Sequence, residues 1–432
     1  MRQATFLAIN ILLTGIFSTS IAHAGDDPAK AAVATTGMVA PSDWLLGDWG
    51  GERTHLRDLG FDFQFGYTSE IANNPAGGSE HATRYSDQWS AGVTFDLDRL
   101  LNIPAAQFQV SVTQRDGRNL SDDAHLGTLQ QVQEVFGRGQ TTRLTQFWYD
   151  QKFEDGLIDW KIGRMTFGED FASFSCDFQN LTFCGSDPGN LVGNYIFNWP
   201  VSQWGTRVKV ALSGFGYVQA GVYDANPKYL GDHEEVLPTF FSHSTGAILP
   251  VELAWLPKLG PDALPGTYKI GAWYDTSSGD DVVNDVNGDP FTLTGLSPSQ
   301  HHGRYGGYIN IQQQVTDNLS LFLNAVVADD RTATTDRQIA GGLVYTGPFS
   351  IRPKDDIGFG VGTTHVNHRV ADADAAQGLD VPHSEYAFEL YYTYRPTGGL
   401  LFRPNVQYVV DPGGVSENKD VVVLGLKTSA TF

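Results

Sequence analysis

Between Tyr386 and Val410 every second residue is apolar or aromatic on both sides of the turn "PTGG". One face carries Tyr386, Phe388, Leu390, Tyr392, Tyr394, Leu400, Phe402, Pro404, Val406, Tyr408 and Val410, and the other carries Glu389, Arg395, Arg403, Asn405 and Gln407. Successive side chains of a strand point to opposite faces, so this is a hairpin with one apolar and one polar side. The same period recurs upstream. Phe61, Phe63, Phe65 and Tyr67 oppose Asp62, Gln64 and Gly66, while Trp89, Ala91, Val93, Phe95 and Leu97 oppose Ser90, Thr94, Asp96 and Asp98. Phe108, Val110 and Val112 oppose Gln107, Gln109, Ser111 and Thr113, and Ile158, Trp160 and Ile162 oppose Asp159 and Lys161.

Continued to the C-terminus, the alternation predicts sixteen strands, near 61–69, 88–98, 106–116, 142–153, 157–165, 203–213, 215–224, 247–257, 266–276, 304–314, 318–328, 336–346, 355–367, 383–395, 399–410 and 420–432. Short connections such as "EDG" after the fourth strand, "TDN" at Thr316 and "PTG" at Pro396 mostly alternate with long ones filling about 166–202, 225–246 and 277–303. An even strand number with this loop rhythm is the pattern of an outer-membrane barrel, and strands of roughly ten residues match the bilayer. Lipid offers the backbone no hydrogen-bond partner, so only helices or a closed barrel cross it. No internal run reaches the roughly 18 apolar residues that a spanning helix needs. The expected fold is therefore all-β, a 16-stranded antiparallel transmembrane β-barrel with its apolar face in lipid and its polar face on an aqueous lumen. Tyr386, Tyr392 and Tyr394 suit the interfacial aromatic girdles. Pro404 lacks the N–H of its ladder position, which predicts a bulge there. A soluble β-sandwich or propeller with one wet face is the competing fold.

Composition changes this picture little. The 48 glycines, 12% aromatic residues and mean hydropathy of -0.22 suit many short strands and turns, not a bundle of membrane helices. Arg2, the apolar run from Phe6 to Phe17 and "AHA" at Ala22 to Ala24 predict a secretory signal peptide over residues 1–24. Residues 25–42 read as a flexible lead-in, leaving 43–432 for the barrel, with one short helix expected around Gly51 to Leu59. A net charge of -21 without a basic cluster argues against nucleic acid as a partner. Cys176 and Cys184 stand in a Gly/Asp/Asn-rich segment of an exported chain. An oxidising compartment favours a local disulfide; separate buried thiols and a metal pair are the alternatives.

An enzyme built in a barrel would need a catalytic cluster on one rim, and none assembles. There is no G-x-S-x-G elbow, "HEEVL" at His233 lacks the second His of a zinc helix, and His301 and His302 would point apart in a strand. "DVNGDP", Asp285 to Pro290, lacks the closing Glu of a calcium loop and reads as an Asn-Gly turn. No cofactor is expected. The remaining polar and aromatic groups suit a selective pore. The long segment Thr166 to Trp204 is the candidate for folding inward, and the earlier loop bracketed by Arg115, Arg118, Arg138 and Arg143 is expected beside it. Sugars present hydroxyl pairs and flat C–H faces, which planar donors and acceptors and aromatic rings recognise. Glu169, Asp170, Asp177, Asn180, Phe174, Phe178, Trp199 and Trp204 supply that mixture.

The stretches "LLGDWGGERTHLRDLGFDFQFGYTSE", "GTLQQVQEVFGRGQTTRLTQFWYDQKF", "GRMTFGEDFASFSCDFQNLTFCGSDPGN" and "NWPVSQWGTR" resemble the carbohydrate-selective porin family (OprB type), over about Asp43 to Phe432. The resemblance implies a Gram-negative outer-membrane barrel through which glucose and related carbohydrates diffuse passively, narrowed by inward-folded constriction loops after strands three and five. A general, non-selective outer-membrane porin is the alternative. The resemblance also implies sugar contacts in the constriction at Arg115, Arg143, Glu134, Glu169 and Asp170. By the same resemblance, the terminal Phe432 marks a chain handed to outer-membrane assembly machinery. Outer-membrane lipid and a homotrimeric arrangement complete the expected partners.

Overall fold

The computed structural model describes residues 43–231 and 241–432. The expected signal peptide (1–24), the lead-in (25–42) and His233 lie outside the described residues. Among those described, sixteen long strands run β1 Phe61–Ala76, β2 Thr83–Asp96, β3 Ala106–Gly117, β4 Thr142–Phe153, β5 Ile158–Met165, β6 Gln203–Leu212, β7 Gly216–Ala225, β8 Gly246–Trp255, β9 Leu264–Asp285, β10 Pro298–Gln314, β11 Leu319–Ala328, β12 Thr335–Thr346, β13 Asp356–Val366, β14 Ser384–Thr397, β15 Leu400–Val410 and β16 Val421–Thr431. Each pairs antiparallel with the next, and β1 also pairs with β16, so the sheet closes on itself without a free edge. A two-residue strand, Lys258–Leu259, pairs with the start of β9.

Burial divides the two faces as the alternation requires. In β14 and β15, Tyr386, Leu390, Tyr394 and Val406 are 39–47% exposed, whereas Glu385, Glu389, Arg403 and Gln407 between them are at most 2% exposed. A charged side chain is this deeply covered only when something packs and bonds against it. The lumenal face is therefore occupied.

Two expectations need correction. β9 and β10 run well beyond the predicted 266–276 and 304–314, so most of the supposed long connection is a continuous hairpin. Its tip is the Asn-Gly turn read from the sequence, with Gly288 at φ 92 and its N–H donating to the Asp285 carbonyl. Pro404 makes no bulge. Its pairing with Leu426 on β16 is regular, and on the β14 side the register is the same at Tyr391↔Asn405 and Tyr394↔Phe402. The register shift comes later, between Tyr394 and Thr397. Next to the proline, Arg403 Nε donates to Thr393 Oγ1 at 2.7 Å, a side-chain bond across the stretch where the ladder lapses.

The predicted helix appears as α1, Glu52–Asp58. It holds Arg53 against the seam of the barrel. The guanidinium donates to the carbonyls of Phe63 and Phe432 and lies 3.8 and 4.2 Å from the Trp44 and Trp49 ring centroids.

Candidate functional site

Two connections carry the site, residues 118–141 after β3 and 166–202 after β5. The second begins with a one-turn helix, α2 Phe167–Asp170, closed by a capping box in which Glu169 accepts from the Thr166 N–H and hydroxyl. Asp170 meets the wall there: Lys161 Nζ lies 3.0 Å from it and Arg207 NH2 3.3 Å. Burial alone would push the Asp170 carboxyl up, but these two cations more than reverse it and hold it at about 2. Glu169, whose carboxylate takes a hydrogen bond from Gln146, is shifted the other way because burial outweighs the opposing charge of Lys161. Further on, Glu252 of β8 accepts from the Ala172 N–H at 3.0 Å, and Lys269 of β9 donates to the Ser173 carbonyl at 2.6 Å.

The segment Asp177 to Asn180 then seats on the wall formed by β14, β15 and β16. Arg403 donates to the Asp177 carbonyl and lies 3.2 Å from its carboxylate, and Lys427 donates to the Phe178 carbonyl at 3.1 Å. Glu389 accepts the N–H groups of Gln179 and Asn180 at 2.9 and 2.8 Å. Asn405 and Gln407 complete the attachment, Asn405 donating to the Gln179 side chain and Gln407 accepting from that of Asn180. Cys176 and Cys184 form a disulfide that closes this stretch into a ring, so neither buried free thiols nor a thiolate metal pair is present there. The loop is thus fixed to wall residues of β8 and β9 at one end and of β14 to β16 at the other. All are on polar faces, which places it inside the lumen.

The earlier loop lies against it. The Glu134 N–H donates to the Gln179 carbonyl at 3.0 Å, the Leu181 N–H to the Gln131 carbonyl at 2.9 Å, and Arg138 to the carbonyls of Gly189 and Gly193 at 2.7 and 2.8 Å. Burial lowers the Arg138 guanidinium to about 10, with Arg115 and Arg143 nearby adding to the effect. Glu385 of β14 accepts from the Leu129 N–H at 2.6 Å and the Gly413 N–H at 3.0 Å.

The five residues expected to touch solute fall into two groups. Arg115 and Glu134 approach to 3.8 Å; Arg115 also donates to Gln88 at 2.8 Å and to the Gly137 carbonyl, while Lys427 lies 2.9 Å from Glu134. Trp199 shares Gln88, donating to it at 3.0 Å. Arg143 belongs to the same side, with its guanidinium on the carbonyls of Arg138 and Tyr229, both at 2.8 Å. Glu169 and Asp170 stand apart with Lys161 and Arg207. Glu252, Glu385, Glu389, Arg403 and Lys427, which hold the loops, were not singled out in the sequence as site residues. Their signal was a charge on the polar face of a strand, where nothing local balances it.

A closed barrel of sixteen antiparallel strands, apolar outside and narrowed by loops bonded to its inner wall, is an outer-membrane porin. The family model described as "Carbohydrate-selective porin, OprB family" matches residues 80–432, and the chain belongs to that family. It is 44% identical to Porin B of Pseudomonas aeruginosa, over 93% of this chain and 94% of that one. It is 36% identical to the putative porin QuiX of Acinetobacter baylyi, over 93% and 98%. The high-pH structure of Pseudomonas putida OprB superposes with a TM-score of 0.87 at 44% identity, covering 91% of this chain and 99% of that one. The protein is an outer-membrane carbohydrate channel of a Gram-negative cell.

Proposed function

We propose that the channel passes glucose and related carbohydrates by passive diffusion, without catalysis, and that the gap bordered by the two pinned loops discriminates among them. The observation that carries this reading is the seating of the loop on lumenal faces of β8 and β9 at residues 172–173 and of β14 to β16 at residues 177–180, which sets its hydrogen-bonding and aromatic groups inside a wide barrel. Arg115, Arg143, Glu134, Glu169 and Asp170 remain the proposed polar contacts. Each is already bonded to protein, so a sugar would exchange with or add to bonds that exist. Weak, multiple contacts of this kind let a solute enter and leave. The leader expected at residues 1–24 would direct export, Phe432 would be read by the assembly machinery, and the apolar outer face would meet lipid and, in a homotrimer, neighbouring copies. Liposome swelling with hexoses of equal size and different stereochemistry tests the selectivity. Unequal rates are expected, and equal rates would make this a general diffusion pore.

A further inference from the structure

The pairing of β2 with β3 sets Gln88 directly opposite Arg115 on the lumenal face, where Gln88 is 3% exposed. Trp89 beside it is 45% exposed on the outer face, as the alternation requires. The side-chain oxygen of Gln88 accepts two hydrogen bonds, from Arg115 Nε at 2.8 Å and from the indole Nε1 of Trp199 at 3.0 Å. Trp199 stands 111 residues further along the chain, near the end of the 166–202 loop. One wall oxygen therefore joins a loop ring to a wall guanidinium.

The two bonds use both lone pairs of that oxygen and settle which way the amide faces. Turned over, the amide would set its own N–H groups against an indole N–H and a guanidinium N–H, leaving donors without acceptors in a covered site. The backbone leading into the ring is held separately. Asn198, 8% exposed, donates from Nδ2 to the Ser186 carbonyl and to Asn190 Oδ1, both at 3.0 Å. With the chain fixed there, the bond to Gln88 decides how the indole is turned. The ring is only half-buried, so part of its surface is open inside the barrel.

We propose that Gln88 is a positioning residue for sugar selection: its one oxygen holds the Trp199 ring and the Arg115 guanidinium in a fixed relation, the ring for the C–H face of a pyranose and the guanidinium for its hydroxyls. A stacking plane alone accepts a sugar turned about its axis, and a donor alone accepts a tilted one. Locked together, they accept fewer orientations, and an epimer with one hydroxyl inverted loses either the stack or the hydrogen bond. The inference rests on the reading of the chain as a sugar channel and deepens it by naming residues that set the stereochemical choice.

The test uses full-length protein in planar bilayers, with glucose or its epimer galactose added to a salt solution. Gln88→Leu keeps the bulk and removes the acceptor. It is expected to weaken glucose block by about tenfold and to bring the two sugars closer together, with salt current and noise as in the wild type. Gln88→Glu, which keeps an oxygen for both donors, should retain the block. Trp199→Phe keeps a ring without the N–H and should weaken block as Gln88→Leu does; lying in the loop, outside the strand ladder, it decides alone if Gln88→Leu does not assemble. Wild-type block and discrimination in the assembled variants, or equal losses in Gln88→Leu and Gln88→Glu, would overturn the role. So would a larger, noisier salt current in Gln88→Leu, which would make the residue a brace for the loop. A wild-type channel blocked equally by both sugars, or by neither, would instead overturn the sugar-selective reading beneath it.

Discussion

Replacing Glu389 by alanine is expected to open the constriction without unfolding the barrel. Its carboxylate holds the N–H groups of Gln179 and Asn180 at 2.9 and 2.8 Å, joining points 210 and 209 residues apart in the chain. Hydrogen bonds to a charged group contribute about 1.5–3 kcal/mol each, so the pair contributes roughly 3–6 kcal/mol before the cost of burying the charge is taken off. Arg403, Lys427, Asn405 and Gln407 still hold the neighbouring atoms in the variant. A net loss of about 3 kcal/mol raises the detached population of the loop on the order of a hundredfold. The strand ladder does not pass through residues 177–180, so the barrel should assemble normally. Single-channel recording should show larger and noisier conductance, with glucose block lost. Glu389→Gln, keeping one acceptor oxygen, should fall between. An assembled Glu389→Ala channel with wild-type conductance, noise and block would refute this role.

Cys176→Ser should leave the barrel assembled but loosen sugar discrimination, because a ring this short restrains the chain by roughly 2–3 kcal/mol; full selectivity after clean reduction would count against it. Arg115→Leu should weaken glucose block, by about 1–2 kcal/mol, while the channel stays open to salt; unchanged block would move attention to Arg143 or Glu169. The Asp170 carboxyl, held at about 2 by Lys161 and Arg207 although burial opposes them, stabilises the folded loop above pH ~4, and that contribution, about 2–3 kcal/mol, is lost as pH falls through about 2. Trp148, whose ring centroid lies 4.5 Å from Lys161 Nζ, reports the change in fluorescence; Asp170→Asn should lack the acid step, and an identical step in that variant would assign it elsewhere. Phe432→Ala keeps the backbone bonds to Phe65 and Arg53, so it should lower folded barrel in cells more than refolding in detergent, with equal losses pointing to packing alone.

Most of the wall was legible because a barrel strand states its own two faces. The predicted 142–153 is the observed β4, and 399–410 differs from β15 by one residue. Legibility failed where the lipid constraint ends. Beyond the predicted ends β9 and β10 continue as a hairpin that is mostly polar on both faces, with Val282 and Val283 adjacent instead of alternating, so the period vanishes while the strands do not. Pro404 misled because its lost donor was expected to displace the register; a gap in one ladder and the Arg403–Thr393 bond suffice. In the site, the inward loops were legible from their length and cysteines. The anchors were not. Alternation tells that Glu385, Glu389, Arg403 and Lys427 face the lumen, but not that their partners lie in loops more than 200 residues away.

The central claim is that pinned loops make a saturable sugar-selective passage out of a wide barrel. The direct measurement is single-channel current through the wild-type protein as glucose is raised, set against a flexible ethylene-glycol oligomer of equal hydrodynamic size. Glucose should produce a saturating block with a definable affinity, while the oligomer lowers current only in proportion to its concentration. Identical, non-saturating reductions by both would contradict the account.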